Sequence, residues 1–252
     1  NQSLLKVIVD NGITGVEVAP TKIAGWEKLS VNILEDYKKI LNCSGLEVSS
    51  LQSLFFGLED CQLLGSKKQF DQMINHFHKI IDITNILDTN ICVFGSPKSR
   101  LKLIEVEDYL EKILYKRMEV IGELFSKSGK NLVIESIPVQ YGGQILVSYK
   151  SVLSLVKTIN NSHLKVHLDI GCVSIAGDNI SQAIIECNKD LLHYQASEKN
   201  IGNFLEPIFS HHLASDSLSK IGYKGWVSIE MIGISAPNEI LDAIKYVRNV
   251  YD

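Results

Sequence analysis

The 252-residue chain has no long apolar run, although 45% of its residues are hydrophobic. No stretch is long and apolar enough to cross a membrane as a helix. Basic charge is not in excess either: 25 Lys and Arg face 29 Asp and Glu, for a formal net charge of -4. This argues against the dense basic face that nucleic-acid binding uses. The five cysteines, Cys43, Cys61, Cys92, Cys172 and Cys187, include no CxxC pair and are odd in number. Their scatter predicts a reduced, cytoplasmic setting rather than a disulfide framework. A GxGxxG fingerprint is absent, which removes the main signal for a dinucleotide-binding open sheet and gives no reason to expect an organic cofactor. Linkers, low-complexity segments and charge blocks are also missing. A single domain over 1–252 is therefore expected, a length that α/β barrels reach undivided.

What the sequence does contain is strict alternation of two patterns. Short apolar runs bounded by turn residues read as buried parallel strands at 15–20, 46–54, 91–94, 131–135, 165–170, 191–196 and 226–231. Segments of helical period separate them, at 1–10, 27–43, 69–89, 105–129, 145–161, 179–188, 211–221 and 237–251. The alternation opens on a helix, so it is one strand short of a (β/α)8 TIM barrel, and the expectation is a first strand upstream of Asn1.

Several predicted strands end on an oxygen-bearing side chain. Leu132-Val133-Ile134 delivers Glu135, LKVHLD delivers Asp169, LLHYQ delivers Gln195 and WVSIE delivers Glu230. Burying a carboxylate at a strand end is costly unless a metal, a cation or a donor compensates it. A common site at one end of the barrel, held by Glu135, Asp169, Gln195 and Glu230, is the reading. Buried salt bridges to lysines of neighbouring loops are the alternative.

From GVEVAP to GYKGWVSIEM the chain resembles the xylose-isomerase-like TIM-barrel superfamily, which holds sugar isomerases and epimerases, hydroxypyruvate isomerase, inosose dehydratase and endonuclease IV. In the sugar-epimerase branch a divalent ion is held by Glu, Asp, His and Glu from four strand ends. The intervals here, 34, 26 and 35 residues, are similar. Gln195 replaces the usual histidine, as in hydroxypyruvate isomerases. Cys172 stands where some ketose epimerases carry a substrate-binding histidine, a departure from those enzymes.

The resemblance implies a metal-dependent isomerase or epimerase of a small sugar or hydroxycarbonyl compound. Glu135 and Glu230 would move the proton through an enediolate, and Asp169 and Gln195 would hold the ion. An oxygen-rich donor set favours Mn²⁺ or Mg²⁺, with Co²⁺ or Zn²⁺ admissible. A dehydratase of a cyclic polyol and a sugar-binding barrel without catalysis remain the alternatives. The partner expected is a small sugar-like substrate, with no nucleic acid and no membrane, and pairing of two copies through outer helices is open to such a barrel.

Further candidates surround the quartet. His193 lies two residues before Gln195 and shares its face of the strand, as His167 does for Asp169. Glu198 could accept bonds from sugar hydroxyls, or serve a loop salt bridge. Lys98 and Arg100 follow the strand at 91–94 and read as a solvated basic loop or as cations that hold an anionic group of the substrate. Glu17 interrupts an apolar strand and could pair with Lys22 of the adjoining loop, at the site or as a rim salt bridge. Tyr141 sits in a Gly-containing loop suited to a lid. His212 opens a helix near the expected mouth, as a site residue or an exposed surface histidine.

Overall fold

The structure, a computed structural model, describes residues 2–103, 107–232 and 237–252. Seven parallel strands form one sheet in sequence order: β1 Gly15–Val18, β2 Glu47–Leu51, β3 Ile91–Phe94, β4 Asn131–Glu135, β5 Leu164–Asp169, β6 Leu191–Ser197 and β7 Val227–Glu230. Around them lie α1 Gln2–Asp10, α2 Pro20–Ile23, α3 Val31–Cys43, α4 Lys67–Leu87, α5 Glu107–Ser128, α6 Tyr149–Ile159, α7 Ile170–Ile175, α8 Ile180–Cys187, α9 His211–Lys220 and α10 Pro237–Tyr251. The result is a nearly closed parallel barrel ringed by helices, as the alternation predicts. No described helix is long and apolar enough to cross a membrane.

Period-2 alternation divides each strand between two environments. Leu132 and Ile134 of β4, Val166 and Leu168 of β5, and Tyr194 and Ala196 of β6 join the buried apolar layer against the helices. Each such aliphatic side chain contributes about 1.5–3 kcal/mol on leaving water. The intervening residues Glu135, His167, Asp169, His193 and Gln195 face the barrel axis. Interiors of such barrels are ordinarily packed with branched aliphatics. Here much of the axis is polar, so the fold spends its apolar residues outside the sheet and keeps the centre for hydrogen-bonding groups.

Among the described residues, β1 pairs only with β2 and β7 only with β6. Their free edges face one another across a cleft of about 580 Å³, lined by Gly15, Val16, Trp226, Val227 and Ile229 among others. The Trp226 ring packs so closely on Gly15 that a Cβ there would come within 2.8 Å of it. This is the gap expected where the eighth strand of a closed barrel would run.

Some boundaries differ from expectation by more than a residue, and α7 is an element not expected at all. Pro20, read as closing a strand, instead occupies the first position of α2, where its missing N–H costs nothing. The helix expected from 27 begins at Val31, because the Ser30 side chain accepts the Ile33 amide and caps it. That expected from 145 begins at Tyr149 behind a Ser148 capping box. Helix α7 is too short for a periodic signal. The first residue of the predicted helix 1–10, and residues 105 and 106 of the helix 105–129, lie outside the described residues.

Candidate functional site

Asp169 closes β5 and at once caps α7: its Oδ1 accepts the backbone N–H of Cys172. Oδ2, in a residue only 3% exposed, has no hydrogen-bond partner among the described atoms. The turn of α7 carries the Cys172 thiol back over the strand ends, where it donates to Oε1 of Glu135 at 3.4 Å. A carboxylate oxygen of Glu135, one of Asp169 and the Cys172 sulfur all lie within 4.8 Å of one another. Gly95, just past β3, makes room for this: a Cβ there would come within 2.2 Å of Glu135 Oε2.

The electrostatics of the cluster are those of crowded, dehydrated acids. Burial and then the charge of Asp169 push the Glu135 carboxyl up to about 8. Burial also raises Asp169. Glu230, at the end of β7, is raised well above the usual carboxylate range by burial, then by Asp169 and Glu135. Glu135 and Asp169 thus share one small volume with the Cys172 thiol, whereas Glu230 lines the cleft between β1 and β7 and feels both charges from there. Charges of like sign brought together in this way favour the protonated forms.

Gln195 is level with Asp169 in the β5–β6 register. Both ends of its amide are engaged: Oε1 accepts from His167 Nε2 at 2.8 Å, and Nε2 donates to Glu17 Oε1. The acceptor-only Glu17 carboxylate fixes which end of the amide points where, and Oε1 retains a lone pair. Glu17 also accepts from Ser50 and from His193 Nε2, the latter at 2.7 Å. Burial alone would raise the Glu17 carboxyl, but the His193 and Ser50 donors bring it below its ordinary value. His167 stacks on His193 with ring centroids 5.2 Å apart, and burial next to that ring lowers it to about 3, so it is neutral. A polar layer from β1, β2, β5 and β6 therefore lies behind the acidic cluster.

The remaining candidates separate. Burial raises the Tyr141 phenol, with the Asp169 and Glu230 carboxyls adding to the shift, and its hydroxyl accepts the Asn200 amide at 2.7 Å, joining the loops after β4 and β6. Glu198 is taken up by its own loop: it accepts from the amides of Ile208 and Phe209 and from His211 Nε2 at 2.9 Å. The loop role, rather than sugar hydroxyls, accounts for its described bonds. His212 stands exposed on α9 while its neighbour His211 is buried. Lys98 is likewise exposed, whereas Arg100 is buried.

Arg100 is the basic residue at the centre. Its Nη1 donates to the Glu135 carbonyl at 2.9 Å, its guanidinium lies 5.4 Å from the Phe94 ring centroid, and Nε and Nη2 have no partner among the described atoms. Burial lowers it to about 10, offset in part by Glu135. Sequence spacing gave Lys98 and Arg100 the same reading; the structure separates them, with Lys98 exposed and Arg100 buried behind Glu135. Glu17 as the hub of the polar layer had no local signal, since its partners lie 176 and 178 residues away.

A parallel α/β barrel with a buried acidic cluster at the C-terminal ends of its strands defines the general class. The chain belongs to the xylose isomerase-like TIM barrel family, whose profile matches residues 5–250. Among solved structures it is similar to D-psicose 3-epimerase with D-tagatose from Clostridium cellulolyticum H10. That similarity has a TM-score of 0.83 at 13% identity over 100% of this chain and 93% of the other. It is also similar to the probable 3-DHS dehydratase AsbF from Bacillus anthracis, with a TM-score of 0.77 at 15% identity over 98% and 93%. These likenesses establish the fold. The uncharacterized protein MJ1311 of Methanocaldococcus jannaschii is 28% identical over 156 residues, which cover 55% of this chain and 48% of that protein. The match thus spans about half the length of that relative.

Proposed function

We propose that the chain is a divalent-metal-dependent isomerase or epimerase of a small sugar or hydroxycarbonyl compound. The observation that carries this reading is the unpartnered Oδ2 of buried Asp169 beside Glu135, with Glu230 raised by both. A buried acceptor with no donor, among carboxyl groups that repel, fits a cation. Glu135, Asp169 and Glu230 would hold it, with the free lone pair of Gln195 Oε1 available as a further donor. When bound, the ion would polarise a carbonyl and its neighbouring hydroxyl and so acidify the C–H between them.

Glu230 and Glu135, from strands on different sides of the mouth, then remove that proton and return one. Return to the same carbon from the opposite face inverts it, whereas return to the neighbouring carbon moves the carbonyl. Glu17 and His167 hold Gln195, and Tyr141 covers the site through its tie to Asn200. A substrate panel of free and phosphorylated ketoses, incubated with the manganese-loaded protein in D₂O, tests the reading. Deuterium entering a carbon beside the carbonyl is expected. Turnover without any deuterium would speak against proton exchange, and a product lighter by one water would favour the dehydratase alternative.

A further inference from the structure

We propose that Cys172 is a thiolate ligand of the ion, so that this centre selects a thiophilic dication of the zinc type over magnesium. The inference rests on the metal-dependent reading above and concerns which ion the centre takes.

Its basis is the position of one sulfur atom. Cys172 is 6% exposed and enters the centre because Asp169 caps its amide, which fixes the start of α7 over the strand ends. Its Sγ lies 3.4 Å from Glu135 Oε1. A tetrahedral ion with Zn–S about 2.3 Å and Zn–O about 2.1 Å sets sulfur and oxygen about 3.6 Å apart. The sulfur is therefore already near ligand spacing. The second observation concerns the other oxygen of the capping aspartate: Asp169 Oδ2 is buried without a hydrogen-bond partner among the described atoms. Glu135, Asp169 and Cys172 thus present two oxygens and a sulfur around one point.

The donor set separates the ions. Magnesium requires near-octahedral oxygen coordination and dehydrates reluctantly, so a sulfur in its shell is unfavourable. Thiolate is a soft donor that favours zinc and, more strongly, cadmium. On binding, the S–H bond breaks and the S–metal bond forms, one proton leaving to solvent for each ion, with no change of oxidation state.

The test uses the full chain in a Cys43→Ser background, because Cys43 is the exposed thiol. Metal-free protein, Cys172→Ser and Cys172→Ala are titrated with Cd²⁺, Zn²⁺ and Mg²⁺ by calorimetry, and ultraviolet difference spectra are recorded for Cd²⁺. The parent should bind Cd²⁺ and Zn²⁺ at least about 10-fold more tightly than either variant, while Mg²⁺ affinity stays within about 2-fold. A cadmium–thiolate charge-transfer band should appear in the parent alone. Both variants keep Cys61, Cys92 and Cys187, so a band lost in whichever variant keeps the parent's melting temperature belongs to Cys172, and a band retained in both would overturn the inference. Equal Cd²⁺ affinities and no band would overturn the inference and leave the metal-dependent reading standing. No dication bound by the parent would overturn both.

Discussion

Gln195 and Glu17, 178 residues apart in sequence, meet through the amide Nε2 and carboxylate Oε1 inside the barrel. This contact joins β1 to β6 and leaves the Gln195 oxygen facing His167. Glu17→Gln leaves one acceptor oxygen where two are used, so its NH₂ must face either the Gln195 Nε2 or the Ser50 and His193 donors, and one side loses its acceptor. The expected cost is about 1–3 kcal/mol of stability, with weaker manganese binding. Adding Gln195→Glu restores a donor–acceptor pair and should recover much of the melting temperature. Denaturant unfolding of the two variants checks this, and a double variant no more stable than the single one would show that the contact is incidental.

Gly95 bounds the space of the Glu135 carboxylate. Gly95→Ala places a methyl where Oε2 now lies, so Glu135 must turn away. Overpacking of this kind costs about 1–3 kcal/mol, and manganese affinity should fall by about 10-fold or more. Calorimetric titration measures the affinity, and an unchanged value would mean that Glu135 is not a ligand.

The raised carboxyl groups give a pH dependence of defined sign. Glu135 titrates at about 8 in the fold against 4.5 as an ordinary glutamate. Its folded form therefore binds a proton more tightly than the unfolded chain does. The associated stability is fully present below about 4.5 and is lost as pH rises through about 8. His167, held down at about 3 against an ordinary 6.5, has the opposite sign and adds stability as pH rises to about 6.5. Thermal melts of the metal-free protein should therefore fall between about pH 6.5 and 8, where Glu135 alone of the two still titrates, and added Mn²⁺ should raise the melting temperature most at the upper end. A metal-free melting temperature that climbs from about pH 6.5 to 8 would contradict the crowded-acid description.

The cleft between β1 and β7 leaves two sheet edges open. Amides of these strands that face the cleft should exchange with deuterated solvent much faster than those of β4 and β5, which are paired on both sides. Equal protection across all four strands, measured by hydrogen exchange, would show that the edges are covered in solution.

The legible parts of this protein were those encoded locally. An apolar triplet placed Glu135 at a strand end, and the alternating runs VHLD and VSIE did so for Asp169 and Glu230, because strand burial and strand end are both short-range signals. Choices of one residue were not legible. Lys98 and Arg100 differ in whether a short 3₁₀ turn at Pro97–Ser99 points them out or in. Similarly, His211 and His212 differ only in helical phase on α9. Glu17 was visible as an oddity in an apolar strand, but its partners come from the far end of the chain. Cys172 read as a lost histidine, because α7 is a six-residue helix that gave no periodic signal and only its geometry turns the thiol inward.

If Glu230 moves a proton while Asp169 holds the ion, paired variants at the two positions fail in different ways. Glu230→Gln and Asp169→Asn are assayed together on a ketose turned over by the parent, with metal content measured on each. Glu230→Gln should keep its ion and lose turnover by about 10²-fold or more. Asp169→Asn should lose the ion first and regain part of its turnover with added Mn²⁺. Near-normal turnover of Glu230→Gln with the ion in place would contradict the account.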